Sequence, residues 1–128
     1  MPIVIAVVDD DESVREALTG LMKSLGYRVL AFQSAEDFLK SKRRGGAACL
    51  IADVQMPGMT GPELFDRLIS SGEPIPTILI TAYPNETVRR RALQAGVKGY
   101  LTKPFSEDDL LGCIRCALDS RAAKERGT

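Results

Sequence analysis

Five short apolar runs, each followed by an amphipathic stretch, constrain this chain more than any other feature. The runs are 3–8 (IVIAVV), 27–32 (YRVLAF), 49–52 (CLIA), 75–80 (IPTILI) and 99–101 (GYL). The first and fourth are nearly continuous and rich in β-branched residues, as strands buried on both faces are. Between runs the period changes to a helical one. Val14, Ala17, Leu18, Leu21, Met22 and Leu25 fall on one stripe, and Gly26 ends it. Alternation of this kind predicts an α/β fold: a parallel sheet of five strands, doubly wound, with helices on both faces. The common strand order for five such units is 2-1-3-4-5.

Local signals place the other helices. Ser34 with Asp37 opens one that carries Phe38 and Leu39 and ends in the charged run 40–44 before Gly45 and Gly46. Pro62 suits the first turn of a helix to about residue 69. Asn85 caps another, stopped by Gly96, and Ser106 begins the last, followed by Glu107, Asp108 and Asp109. Pro76 is tolerated at the start of its strand. The segment 55–61 (QMPGMTG) is a loop dense in Gly and Pro.

Length and charge narrow the function classes. At 128 residues there is room for one domain, expected over 1–120, with 121–128 as a polar tail or linker stub. Lys plus Arg equals Asp plus Glu, 17 each, so the overall charge asks for neither nucleic acid nor an anionic membrane. No apolar run approaches the roughly 20 residues of a membrane span. The N-terminus lacks the marks of a signal peptide, so a cytoplasmic location is expected. The chain has no His, which removes imidazole bases, Ser-His triads and His-ligated zinc. Its three cysteines do not make a disulfide framework. Cys49 begins a strand and is expected in the core. Cys113 and Cys116, three apart in the last helix, share a face and are expected to pack as small apolar residues.

The polar residues collect in a pattern. Asp9 and Asp10 follow the first strand, Asp53 the third, Thr81 the fourth and Lys103 the fifth. Ligands of doubly wound sheets bind at the carboxyl ends of the strands, where these five residues meet. Any one of the acids alone is equally well a helix cap or turn residue. Together, three carboxylates repel one another by several kcal/mol at an effective dielectric of about 20. Lys103 compensates in part, and a hard divalent cation with oxygen ligands is the natural remainder: Mg²⁺, or Mn²⁺ in its place. Asp53 then reads as a nucleophile that holds a phosphoryl group as an acyl phosphate. Lys103 pairs with a phosphoryl oxygen, and the Thr81 hydroxyl donates to another.

Four segments carry a resemblance: VVDDDESVR, DVQMPGMTG, ITAY and GYLTKPF, in that order after the first, third, fourth and fifth runs. Over about residues 3–120 the chain resembles a response-regulator receiver domain of the FixJ-like type. That resemblance implies a (βα)₅ sandwich of the flavodoxin/CheY-like kind. It implies phosphorylation of Asp53 by a histidine kinase or phosphotransfer protein. Asp9, Asp10, Asp53 and the backbone carbonyl of Gln55 would surround Mg²⁺, with Asp10 the first choice and Asp9 acting directly or through water. Thr81, Ala82 and Lys103 would hold the phosphoryl group, and the Lys103–Pro104 bond would be cis. Thr81 and Tyr100 would form a switch that alters the face of the fourth helix, fifth strand and fifth helix, used for dimerisation or partner binding. Gln55 and Tyr83 would modulate dephosphorylation. The role so implied is signalling, not metabolic catalysis, with self-phosphotransfer and autodephosphorylation at Asp53 as the only chemistry and no output domain in this chain.

Other readings stay open at this level. A degenerate receiver would bind partners without phosphorylation. A haloacid-dehalogenase-like, Mg²⁺-dependent phosphatase would use an Asp-x-Asp motif, formally present in 9–11, but would leave Asp53 without a role. Tyr100 is also explained as a plain core aromatic. Arg89, Arg90 and Arg91 lie on the fourth helix, expected mostly in solvent. No DNA-binding motif accompanies them, so direct nucleic-acid binding by this chain is not expected.

Overall fold

A computed structural model describes residues 3–126. The elements run β1 (Val4–Val8), α1 (Glu12–Ser24), β2 (Arg28–Phe32), α2 (Ala35–Lys40), β3 (Cys49–Asp53), α3 (Gly61–Ser70), β4 (Thr77–Thr81), α4 (Glu86–Ala95), β5 (Gly99–Thr102) and α5 (Glu107–Arg126). All strand pairs are parallel, in the order β2-β1-β3-β4-β5. The expected doubly wound α/β sandwich is the one found.

Strand alternation divides the core into two layers. Ile5, Val7, Cys49, Ile51, Ile78 and Ile80 pack with Leu18 and Met22 of α1 and Leu110, Ile114 and Ala117 of α5. Ala6, Val8, Leu50, Ala52 and Leu79 pack with Phe38 of α2, Leu64, Phe65 and Leu68 of α3, and Ala92 of α4. Successive side chains point to opposite faces, so a strand covered on both sides needs an apolar residue at every position. The five residues of β3 and of β4 are all buried, and all but Asp53, Thr77 and Thr81 are apolar.

The caps follow the sequence with a few differences. Ser34 accepts the Asp37 N–H, Asn85 the Val88 N–H, and Ser106 the Asp109 N–H, as expected. Helix α1 begins at Glu12, ahead of the apolar stripe, because the Asp11 side chain accepts the N–H groups of Ser13 and Val14. Strand β4 begins at Thr77, so Pro76 lies just before it. Thr60 and Glu63 close a reciprocal capping box on α3, a Thr-x-x-Glu signal legible in the sequence and missed by the reading from Pro62 alone. Helix α5 runs on through Arg126, into the segment expected as a tail. No helix among the described residues is long and apolar enough to cross a membrane.

The cysteines separate. Cys49 is buried and Cys113 half-buried against the same layer, but Cys116 is exposed. The expectation of core packing holds in part for Cys113 and is corrected for Cys116. The buried stripe of α5 passes through Leu110, Ile114 and Ala117, and Cys116 lies off it. Arg89, Arg90 and Arg91 all face solvent, and Arg89 pairs with Glu86 at 3.2 Å.

Candidate functional site

Each strand delivers its polar residue as the hydrophobic core ends. Asp9 follows β1 directly and is fully buried, while Asp10, one residue further on, is exposed. Asp53 is the last residue of β3 and Thr81 the last of β4, and both are buried. Lys103 follows β5 and is fixed by its own backbone, whose N–H donates to the Thr81 carbonyl at 2.7 Å. The Lys103–Pro104 peptide is cis.

Asp9, Asp10 and Asp53 each offer a carboxylate oxygen, and these three oxygens lie within 4.8 Å of one another. The Lys103 ammonium lies 3.0 Å from Asp9 Oδ2 and 3.6 Å from Asp53 Oδ1. The other Asp9 oxygen accepts the Asp11 N–H at 2.9 Å. Asp10 thus reaches solvent, while Asp9 is tied to the protein through both oxygens.

Burial pushes the Asp53 carboxyl up to about 6, and the neighbouring Asp9 charge adds to it. Lys103 and the Gln55 backbone N–H pull it back, and Asp10 is the smallest upward contribution. An acid so placed is still largely ionised at neutral pH, and its ionised form is held at a cost. Three hard oxygen donors, one open to water, around an incompletely compensated negative charge suit a small divalent cation with part of its hydration shell retained. The donor chemistry fits Mg²⁺.

Thr81 carries a second polar device. Its Oγ1 accepts the Tyr83 N–H at 2.9 Å, which leaves the hydroxyl proton available to donate. Ala82, between them, is exposed, and so are Gln55 and the Tyr83 side chain. Tyr100 packs with the core layer of α2, α3 and α4, and its hydroxyl is buried without a hydrogen-bond partner.

Two contributors were not found from sequence. Arg15 Nη1 donates to the Asp9 carbonyl at 2.8 Å and so braces the turn after β1. The motif VVDDDESVR contains it, but spacing alone does not say where a long side chain folds back. Gly61 is the second. A Cβ there would collide with the Asp53 carbonyl oxygen and press on Leu79. The start of α3 lies directly under Asp53. Gly61→Ala is expected to destabilise the fold by about 1–3 kcal/mol, the range for forced overpacking. Urea unfolding measures it, and an unchanged midpoint would show that the loop yields freely.

Comparison with known proteins identifies the family. The family model described as "Response regulator receiver domain" matches residues 5–115. The response regulator protein TmoT of Ectopseudomonas mendocina is 45% identical over 115 residues, 90% of this chain and 52% of that protein. The transcriptional regulatory protein FixJ of Bradyrhizobium diazoefficiens is 33% identical over 114 residues, 89% of this chain and 56% of that protein. Among solved structures, the response regulator StyR superposes with a TM-score of 0.89 at 39% identity, covering 99% of this chain and 64% of StyR. The chain spans about half the length of the curated relatives it matches. Fold, motif order and similarity along most of the chain point the same way: it belongs to the receiver domain family of two-component response regulators, whose members are signalling domains, not metabolic enzymes.

Proposed function

We propose that Asp53 is the phosphoacceptor of a Mg²⁺-assisted receiver domain, spanning about residues 1–120 with 121–128 leading out of it. The observation that carries this reading is the cluster of Asp9, Asp10 and Asp53 with Lys103 bridging two of the acids. Asp10, Asp53, the Gln55 carbonyl and Asp9 would hold the ion. When bound, it would neutralise phosphoryl oxygens and so lower the barrier to attack.

The chain's own residues account for the rest. The ionised Asp53 carboxylate attacks phosphorus, one P–O bond to it forms, and the bond from phosphorus to the donor breaks. The electron pair leaves with the donor, a phosphohistidine of a kinase or phosphotransfer protein or a small acyl phosphate. Lys103 stands beside Asp53 and is placed to pair with a phosphoryl oxygen. Thr81 has a hydroxyl proton to offer, with Ala82 next to it. A buried Tyr100 hydroxyl without a partner is costly, by about 1–3 kcal/mol. That supports two arrangements of the ring, whose balance a new acceptor at Thr81 would shift. The affected surface would be α4-β5-α5, where a second copy or a partner docks.

Intact mass after incubation with acetyl phosphate tests the reading. A gain of about 80 Da, the mass of one added phosphoryl group, is expected with Mg²⁺ and not with EDTA. A gain of equal size in EDTA would remove the metal from the mechanism. No gain from acetyl phosphate or from any phosphorylated kinase would favour a module that binds without phosphorylation.

A further inference from the structure

The loop between β3 and α3 is held from outside by a residue with no part in the acidic cluster. Glu36, in the first turn of α2, sends its carboxylate across to this loop, and Oε2 accepts the Met59 N–H at 3.1 Å. Gly58, one residue earlier, has a φ of +79°, and a Cβ built there would lie 2.5 Å from the same oxygen. The carboxylate therefore rests directly on the backbone of the turn, at a residue whose positive φ favours glycine. The hydrogen bond and the close approach to Gly58 are both made by this one oxygen.

Charge pairing does not explain Glu36. Among the described residues no Lys or Arg lies within ion-pair distance of it. Its place in the first turn of α2 is favourable, but that benefit needs no contact with Met59. What the contact does is fasten the middle of a loop whose ends are already fixed. At one end the Val54 N–H donates to Ile80. At the other the Gly61 N–H donates to Val54, and the Thr60–Glu63 box starts α3. Met56 is buried between them, but Pro57 and Gly58 are exposed. Glu36 ties down that exposed turn.

We infer that Glu36 is a positioning residue: by holding Met59 and Gly58 it fixes the loop that bears Gln55, and so sets affinity for the divalent cation. This rests on the reading of Asp9, Asp10, Asp53 and the Gln55 carbonyl as the cation's ligands. Groups that orient metal ligands from behind commonly change affinity by 10–100-fold when removed.

The test is the midpoint of thermal unfolding as a function of Mg²⁺ concentration for wild type, Glu36→Ala and Glu36→Gln. Binding to the folded state alone raises the midpoint, and the concentration dependence yields Kd. Glu36→Ala is expected to weaken Mg²⁺ binding by about tenfold, the low end of that range. Glu36→Gln retains a carbonyl oxygen that can accept the Met59 N–H, and is expected to stay near wild type. Faster amide exchange at Met59 in the alanine variant would accompany the loss. A purely structural role would lower the midpoint in EDTA and leave Kd unchanged, which overturns the inference. Glu36→Gln binding as weakly as Glu36→Ala also overturns it, because charge and not the hold on the loop would then set affinity. A wild type with no Mg²⁺ response overturns the metal reading itself; a normal wild type with an unchanged alanine variant overturns only the role of Glu36.

Discussion

Asp53→Asn is expected to abolish the phosphoryl mass gain and, with no metal present, to make the protein more stable. The first effect follows from chemistry. An amide oxygen of the same shape cannot become the acyl phosphate, so no about 80 Da gain should appear at any donor concentration. The second follows from the environment of the acid. Burial and the Asp9 charge raise Asp53 from an ordinary 3.8 to about 6. Between those values the folded chain binds more protons at this residue than the unfolded chain does. Stability from this group therefore falls as pH rises through that window, and is lowest above about 6. At about 1.4 kcal/mol per pKa unit, the penalty at neutral pH has an upper bound of about 3 kcal/mol. Asn carries none of it. In EDTA at pH 7 the variant should melt several degrees above wild type, and the gap should close as the pH falls toward 4, about where the unfolded group titrates. Adding Mg²⁺ should raise the wild type more than the variant. A variant that still gains mass would remove Asp53 from its role. A variant less stable than wild type in EDTA would show that the carboxylate's hydrogen bonds outweigh its repulsion.

The fold was largely legible because its determinants are local and periodic. Short apolar runs without alternation suit strands covered on both faces, and the helical stripes that follow each run supply the cover. Strand ends were equally legible: Asp9, Asp53 and Thr81 stand where the buried register stops, so sequence position alone brought them to one edge. What escaped the sequence is long-range and carried by side chains. Glu36 reaches Met59 across 23 residues, and no spacing rule links an acid on one helix to an amide on a distant loop. Arg15 folds back onto Asp9 within one turn, yet the same residue is equally at home in solvent. The placing of Cys116 failed for a different reason: an i, i+3 pair straddles the edge of a helical stripe as readily as it fills it. Tyr100 shows the limit most clearly. Aromatic packing could be read from its strand; a buried hydroxyl with no partner could not.

Lys103→Ala should act on stability in the opposite direction to Asp53→Asn, although the two side chains are neighbours. The ammonium contacts Asp9 at 3.0 Å and Asp53 at 3.6 Å, and the Asp9 side chain has no exposure at all. Removing it leaves a buried carboxylate whose remaining hydrogen bond, among the described residues, is from the Asp11 N–H. Breaking a buried pair by deleting one partner costs about 3–5 kcal/mol. The lower end applies here, because 18% of the Lys103 side chain remains open to solvent. A loss of about 3 kcal/mol corresponds to a drop of about 10 °C in Tm for a domain of this size. Lys103→Met keeps most of the aliphatic stem, so an equal fall in both variants assigns the loss to charge and not to packing. Mg²⁺ should then recover more in Lys103→Ala than in wild type, since the ion supplies the missing positive charge. Phosphorylation should continue more slowly, because Asp53 is intact while its phosphoryl partner is gone. An unchanged Tm in EDTA would mean that the acids are already relieved by water, and that the bridge contributes nothing. The double variant decides the origin of both effects. With Asp53 neutralised, one of the two acids that Lys103 serves no longer needs it. Asp53→Asn with Lys103→Ala should therefore be more stable than Lys103→Ala alone, and the single effects should fail to add, as they do for residues in one charged network.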